Sequence, residues 1–497
     1  MMNETLQKKP FGWQQAVGIA LLLALLCAAG WLLFANLGVQ AIVDYDEARH
    51  GVNAYEMIRN DEYVVHTYGG ETDYWNLKPP MSFWSVVLGY RLFGYNALGL
   101  RFFSALSSLI SMALVTVLCV KRFGLWPAVM ALCAYVCNRG MYAPHFSRFG
   151  DADGVYQLFF TIAMLCMLMS RKNFAWFYGS ALAFSLAFLT KATHALNIGI
   201  ICLAYVICTG KLKQLKPLRI LGLLVCSAGP VGIWLAVRYA RDGSTFLKEM
   251  FLTDVAGRVG ATAHENELTP LQLYLEAFYD RPALVVAVIF CALCAVVCLL
   301  LRVKLSPECK DALIGTVIWF VVPIAFYTLM NVEFVWYVYS GFAALSVLTG
   351  IMTHALLQAE KGKAVRVAMM AAAFAVMCLF GWQEAERISN ITMSDTYQIV
   401  MQENLDRDMD EGAHMYVQYN AEVASVWPVT QWMQADMLTA LMYGDVVCMD
   451  GGAKAFLEDE EYAILLIGQE GNQELINTLY EECYFRTEED TVMVIDK

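Results

Sequence analysis

The chain has 497 residues, of which 59% are apolar and only 16% charged, against about 45–50% and about 25% in ordinary soluble domains. Its net charge of −12 is unevenly spread: 24 acidic and 5 basic residues lie from Gln383 onward, leaving 22 acidic and 29 basic before it. This excludes a simple soluble globule, and the lack of a basic stripe outside the apolar flanks excludes a nucleic-acid partner; the expected plan is a membrane body over 1–382 and an acidic, water-exposed domain over 383–497.

In chain order, the first apolar run covers Gln14 to Asn36 and follows Lys8 and Lys9. It is too long for a signal-peptide core and lacks a small-residue cleavage site, so it reads as a retained helix. Further runs of spanning length lie at about 98–120, 125–144, 154–170, 174–190, 193–209, 218–239, 283–301, 311–330, 336–356 and 364–382. Basic clusters (Lys121/Arg122, Arg171/Lys172, Lys211–Arg219, Arg302–Lys310, Lys361–Arg366) fall at alternate loops. Short cytoplasmic loops collect Lys and Arg, so the expectation is eleven spans in the plasma (inner) membrane, with a cytoplasmic N-terminus and an extracytoplasmic tail. Met81–Phe93 is short for a span and reads as interfacial or re-entrant; counting such segments would raise the number to twelve or thirteen. The outward segments are then 37–97, 145–153, 240–282, 331–335 and 383–497, the first and third being the long loops fit to carry catalysis.

The tail alternates strand-like runs (Met415–Tyr419, Val446–Met449, Ala463–Ile467, Val492–Ile495) with helical ones (Gln431–Leu441, Asn472–Tyr480), which predicts a small α/β domain. It has no nucleotide-binding glycine loop and no nucleophile elbow. Most of the fifteen cysteines sit in apolar runs without metal-ligand spacing, where thiols behave as small hydrophobes; Cys448 and Cys483 are the pair able to bridge in a secreted domain.

Chemistry-bearing residues gather in the outward segments. Asp44, Asp46 and Glu47 follow the first helix, with Arg49 beside them; Arg148, Asp151 and Asp153 precede a later one. Arginines would keep these carboxylates ionised in a shared pocket, while a solvated flank for the first group and helix N-caps for the second explain the same residues without a pocket. Lys78 precedes Pro79-Pro80, which stiffen the entry to a helix, with Tyr74 and Trp75 adjacent. It reads either as a snorkelling anchor in an aromatic belt or as a phosphate grip together with Arg258.

These residues resemble the GT-C superfamily of membrane glycosyltransferases, and more closely the branch of protein O-mannosyltransferases and the lipid A aminoarabinose transferase. The similarity rests on Asp46-Glu47-Ala48-Arg49, Lys78-Pro79-Pro80, Leu92-Phe93-Gly94 with Arg101, Arg148 with Asp153, Leu189-Thr190-Lys191, Gly257-Arg258 with His264-Glu265, and Trp336-Tyr337, in order over about residues 13–350. It implies a GT-C fold and an inverting transfer of a hexosyl or pentosyl group from a polyprenyl-phosphate sugar to a protein, lipid or glycan acceptor. Asp46 is then the base, with Glu47 and Asp153 as further acidic positions; Lys78, Arg258 and Tyr337 hold the donor phosphate; Arg49, Trp75, Arg148, Asp151 and His264 line the substrate site. Leu77 stands where relatives usually carry an acid, and Glu333 where many carry a base, a departure at the donor or acceptor pocket; a divalent cation is an open expectation, since Asp46 and Asp153 could serve with or without one. A transporter or a membrane-anchored sensor or scaffold are the rival classes, the first requiring charges at mid-span and paired broken helices.

Overall fold

The computed structural model describes residues 12–253, 268–420, 428–480, 484–489 and 492–497. The first nine helices are α1 Trp13–Phe34, α2 Asp46–Arg59, α3 Pro80–Phe93, α4 Ala97–Phe123, α5 Leu125–Val136, α6 Ala152–Met169, α7 Ala175–Lys191, α8 Leu196–Cys208 and α9 Pro217–Asp242. Helices at Pro282–Leu300, Pro307–Leu329, Phe342–Leu357 and Lys363–Ser389 complete the membrane body. Nine helical segments among the described residues are long and apolar enough to cross a membrane, and the chain is a multi-pass membrane protein.

The expected eleven spans differ from those nine at two places. α5 stops after 12 residues. The 34-residue segment Ala175–Cys208 is two helices that reverse at Ala192, whose φ is 42°; Ser180 Oγ lies 3.4 Å from Cys202 Sγ across the hairpin. α3, the short run noted in the sequence, is 14 residues long, about 21 Å at 1.5 Å per residue, and buries Phe83, Val87 and Tyr90. It crosses α4 closely enough that a Cβ on Gly89 would lie 2.0 Å from the Gly99 carbonyl oxygen. Glycine permits this approach because it leaves the backbone surface bare.

Three cysteines without metal spacing in the sequence do converge: Cys133 and Cys137, one turn apart on the α5 end, meet Cys378, with sulfur separations of 3.9 and 3.8 Å from Cys133. Cys448 is a buried free thiol; Cys483 lies outside the described residues.

Beyond Ser389 the chain forms a five-stranded sheet of β3 His414–Gln418, β4 Val447–Cys448, β5 Ala463–Gly468, β6 Tyr484–Glu489 and β7 Val492–Asp496, preceded by the two-stranded β1 Thr67–Tyr68 and β2 Glu71–Thr72 in the first long loop. The order is β4-β3-β5-β7-β6, with β3 parallel to β4 and β5 and β7 antiparallel to its neighbours. β5 is buried at every position, which is why it reads as a continuous apolar run rather than an alternating one. The strand missed in the sequence is β6, whose charged residues hide its period. The domain sits on the membrane body: the helix Gln434–Gly444 packs across α2, where a Cβ on Gly51 would meet Leu438.

Candidate functional site

The site is built where helices begin and end at one end of the bundle. Asp46 opens α2, Lys78 precedes the two prolines that open α3, Asp151 caps α6, Lys191 ends α7, and Trp336 and Tyr337 lie in a 3-10 turn before Phe342.

Lys78 Nζ donates to Asp46 Oδ1 at 2.7 Å and to Asn76 Oδ1 at 3.4 Å. The other Asp46 oxygen lies 3.6 Å from His145 Nδ1, which is 3.0 Å from Asp151 Oδ2. The His145 ring stacks on Trp336 at 4.0 Å. Lys191 pairs with Asp153, both side chains being 5% exposed, and its ammonium lies 4.6 Å over the Tyr337 ring. His194 meets Tyr337 edge-on at 4.6 Å.

The charges decide which groups are ionised. Burial raises Asp46, but the Lys78 cation outweighs it and holds the carboxyl below its ordinary range. Asp151 is likewise raised by burial and then lowered further by His145 and Lys78, ending well below the usual carboxylate range. Burial opposes the charge on Lys78, yet Asp46 and Asp151 hold it above the ordinary ammonium value. His145 is raised against burial by its hydrogen bond to Asp151. His50, fully buried one turn after Asp46, is pushed down to about 4 by burial and then by Lys78. Its Nδ1 lies 2.6 Å from the Asp46 carbonyl oxygen; because a carbonyl can only accept, that nitrogen carries the proton.

Backbone strain marks the same place. Tyr45, His145 and Ala192 have φ of 64°, 63° and 42°, and they adjoin or belong to the Asp46, His145 and Lys191 positions. Non-glycine residues in this region cost of order 1–3 kcal/mol each and persist where surroundings over-determine them.

Other residues singled out in the sequence are placed differently. Glu47, expected in the catalytic group, is 3% exposed and saturated: it accepts from Arg101 Nε and Nη2 at 2.7 and 2.8 Å, from Gly150 N at 2.7 Å and from Val43 N at 3.0 Å. Arg148, expected to line the substrate site, spends its guanidinium on the Leu32, Leu33 and Ala35 carbonyls at the end of α1, a basic cap on the negative helix end. Glu47 has no hydrogen-bonding capacity to spare for a substrate, because folding has already used it; on Arg148 the buried Nε is left without a partner. Arg49 forms a bidentate pair with Asp73 at 2.9 and 2.9 Å and lies between Tyr68 at 4.0 Å and Trp75 at 4.4 Å; Trp75 is 57% exposed, an aromatic face open to the outside. Arg258 and His264 lie outside the described residues. His145 escaped the sequence reading, its only signal being a histidine in the segment that leads to Asp151. Lys191, from the Leu189-Thr190-Lys191 motif, and His194 are both buried at the α7–α8 reversal.

The fold carrying this cluster is that of the GT-C membrane glycosyltransferases. It is shared with ArnT from Cupriavidus metallidurans, solved with undecaprenyl phosphate, at a TM-score of 0.64 with 15% identity over 96% of this chain and 98% of that one. The archaeal oligosaccharyltransferase AglB from Archaeoglobus fulgidus, solved with an inhibitory peptide and a dolichol-phosphate, matches at 0.50 with 12% identity over 94% and 71%. In sequence, residues 77–234 match the family described as dolichyl-phosphate-mannose-protein mannosyltransferase. An undecaprenyl phosphate-alpha-4-amino-4-deoxy-L-arabinose arabinosyl transferase of Pseudomonas fluorescens is 25% identical over 330 residues, 65% of this chain and 56% of its own length. An uncharacterised Aquifex aeolicus protein is 29% identical over 234 residues, 46% of each chain. The chain thus spans about half the length of these two relatives.

Proposed function

We propose that this protein is an inverting glycosyltransferase that moves a sugar from a polyprenyl phosphate to an acceptor hydroxyl at the outer membrane face. The observation that carries the reading is the ion pair of Asp46 with Lys78, set beside His145–Asp151 at the end of the bundle away from the basic clusters.

Asp46, kept ionised, takes the proton of the acceptor hydroxyl as its oxygen attacks the anomeric carbon, a role typically worth about 10²–10⁴-fold. The bond from that carbon to the phosphate oxygen breaks on the opposite face, which inverts the centre. The leaving phosphate gathers negative charge, and Lys78, with Arg258 and Tyr337 as the resemblance implies, meets it; fixed charge aimed at a developing anion is the largest common catalytic effect. Lys78 therefore passes from Asp46 to the phosphate as the donor binds, which frees the base when it is needed. Asp46, His145 and Asp151 offer three ligand atoms within 4.8 Å of one another, while Lys78 already pairs with Asp46; no step is assigned to a divalent ion.

A polar cavity of about 430 Å³ is lined by Arg139, Tyr142, Pro144, Asp280, Arg281 and Arg387, among others, with Arg139 and Arg387 paired to Glu384. It offers room for an acceptor next to the loop that carries His145.

The test is mass spectrometry of polyprenyl-phosphate sugars in cells lacking the protein, complemented with wild type or Asp46→Asn. Accumulation of one sugar-phosphate lipid in the deletion and the variant, cleared by wild type, is expected. Purified wild type that turns over no lipid-linked sugar sinks the reading.

A further inference from the structure

The role of the domain after Ser389 follows from what it touches. Four of its hydrogen bonds to the membrane body fall on the few residues before the candidate base. Gln398, on the helix Thr396–Asn404, accepts from Ile42 N at 2.9 Å and donates to Ile42 O at 3.0 Å. Gln434, at the start of the helix Gln434–Gly444, accepts from Tyr45 N at 3.1 Å. The next residue, Ala435, donates its N–H to Asp44 Oδ1 at 2.8 Å. Gln398 and Gln434 are 1% and 2% exposed, so these amides face main chain rather than water.

The gripped segment is the strained one. Tyr45, at φ 64° and ψ −117°, turns the chain into α2, and Asp46 is the first residue of that helix. The far end of α2 is held as well: Tyr55 donates to Asp445 at 2.5 Å and Arg59 at 2.6 Å, while Leu438 fills the space over Gly51. A strained turn relaxes unless its hydrogen bonds are fixed from outside, and here the outside partner is the C-terminal domain.

We propose that this domain is a clamp on the catalytic loop, in which Gln398 and Gln434 are positioning residues that hold Ile42–Tyr45 so that Asp46 stays within reach of Lys78 and the acceptor. The inference rests on the glycosyltransferase reading above. Its chemistry is local: a buried amide supplies both a donor and an acceptor to Ile42, and a second supplies an acceptor to the Tyr45 main-chain N–H. Misplacing a reacting group by about 1 Å costs about 10²-fold in rate, without touching the phosphate contacts of Lys78.

The experiment compares purified full-length wild type, Gln434→Met and Gln398→Met, which keep length and burial but remove the amide. The lipid-linked sugar identified by mass spectrometry is the donor, and undecaprenyl phosphate is the binding probe. The expected result is a kcat lowered by about 10–10²-fold, undecaprenyl phosphate affinity within about twofold of wild type, and an acid limb of the rate moved to higher pH as Asp46 loosens from Lys78. Unfolding temperatures establish that each variant is folded. Unchanged kcat and pH profile in both folded variants overturns the clamp, and so does failure of both to fold, which makes the amides purely structural. If wild type itself transfers nothing, the glycosyltransferase reading fails, a result distinct from an active wild type with active variants.

Discussion

Arg101 closes a bidentate ion pair on Glu47, at 2.7 and 2.8 Å, one residue after the candidate base. The same guanidinium reaches the Leu37, Gln40 and Ala41 carbonyls, so α4 is tied to the loop that leads to Asp46. Breaking a buried pair by removing one partner costs about 3–5 kcal/mol because a charge is left behind. Glu47→Gln and Arg101→Met should therefore lower the unfolding temperature in detergent, whereas Asp46→Asn, whose pair with Lys78 is partly exposed, should change stability by no more than about 1 kcal/mol. Equal destabilisation by all three would contradict this division between structure and chemistry.

Lys78 sets the ionisation of Asp46. Without the ammonium, burial dominates and the Asp46 carboxyl rises, so residual activity of Lys78→Met should fall off at higher pH on the acid side than that of wild type. The check is kcat/KM against pH for both proteins; coincident acid limbs would remove Asp46 as the titrating base.

In the C-terminal domain, Asp436 is pushed up to about 7 by burial, with Tyr419 donating to it at 2.5 Å. Its native value lies above the ordinary aspartate value of 3.8, so between these values the native state holds a proton that the unfolded state has lost. The contribution is complete below about pH 4 and lost as pH rises through about 7. Amide exchange of β3 and β5 should thus quicken between pH 5 and 7 (on the order of tenfold per pH unit at most) once intrinsic rates are divided out, and Asp436→Asn should flatten the change.

Gly89 is expected to tolerate no side chain. A Cβ there meets a backbone oxygen of Gly99 at 2.0 Å, which cannot yield as a side chain would. Gly89→Ala should destabilise by about 1–3 kcal/mol and raise the donor KM by displacing α3 and Lys78 at its start. Gly30→Ala in α1, with nothing within 4 Å, should be neutral or gain up to about 1 kcal/mol from helix propensity. Thermal unfolding in detergent separates the two.

Much of the fold is legible because bilayer-crossing helices must be long and apolar: α1, α4, α6 and α9 stand out as runs, and Pro79-Pro80 announce α3. The site is less so. Asp46, Lys78 and Asp151 come from segments up to about a hundred residues apart, and a carboxylate at a helix start looks the same whether it caps the helix or serves a pocket. Glu47 and Arg148 illustrate the cost of that ambiguity: they sit in the same motifs as Asp46 and Asp153, yet folding spends them on Arg101 and on the α1 carbonyls.

The sequence by itself determined the membrane body, the acidic α/β tail and the resemblance in motif order, because hydrophobic length, charge asymmetry and local residue order need no partner to be read. Only the tertiary structure decided which charges meet. Ion pairs such as Asp46–Lys78 and Asp153–Lys191, the entry of His145, and the grip of Gln398 and Gln434 on Ile42 and Tyr45 depend on helix ends brought together by packing. Their backbone turns lie in strained regions that no local preference selects.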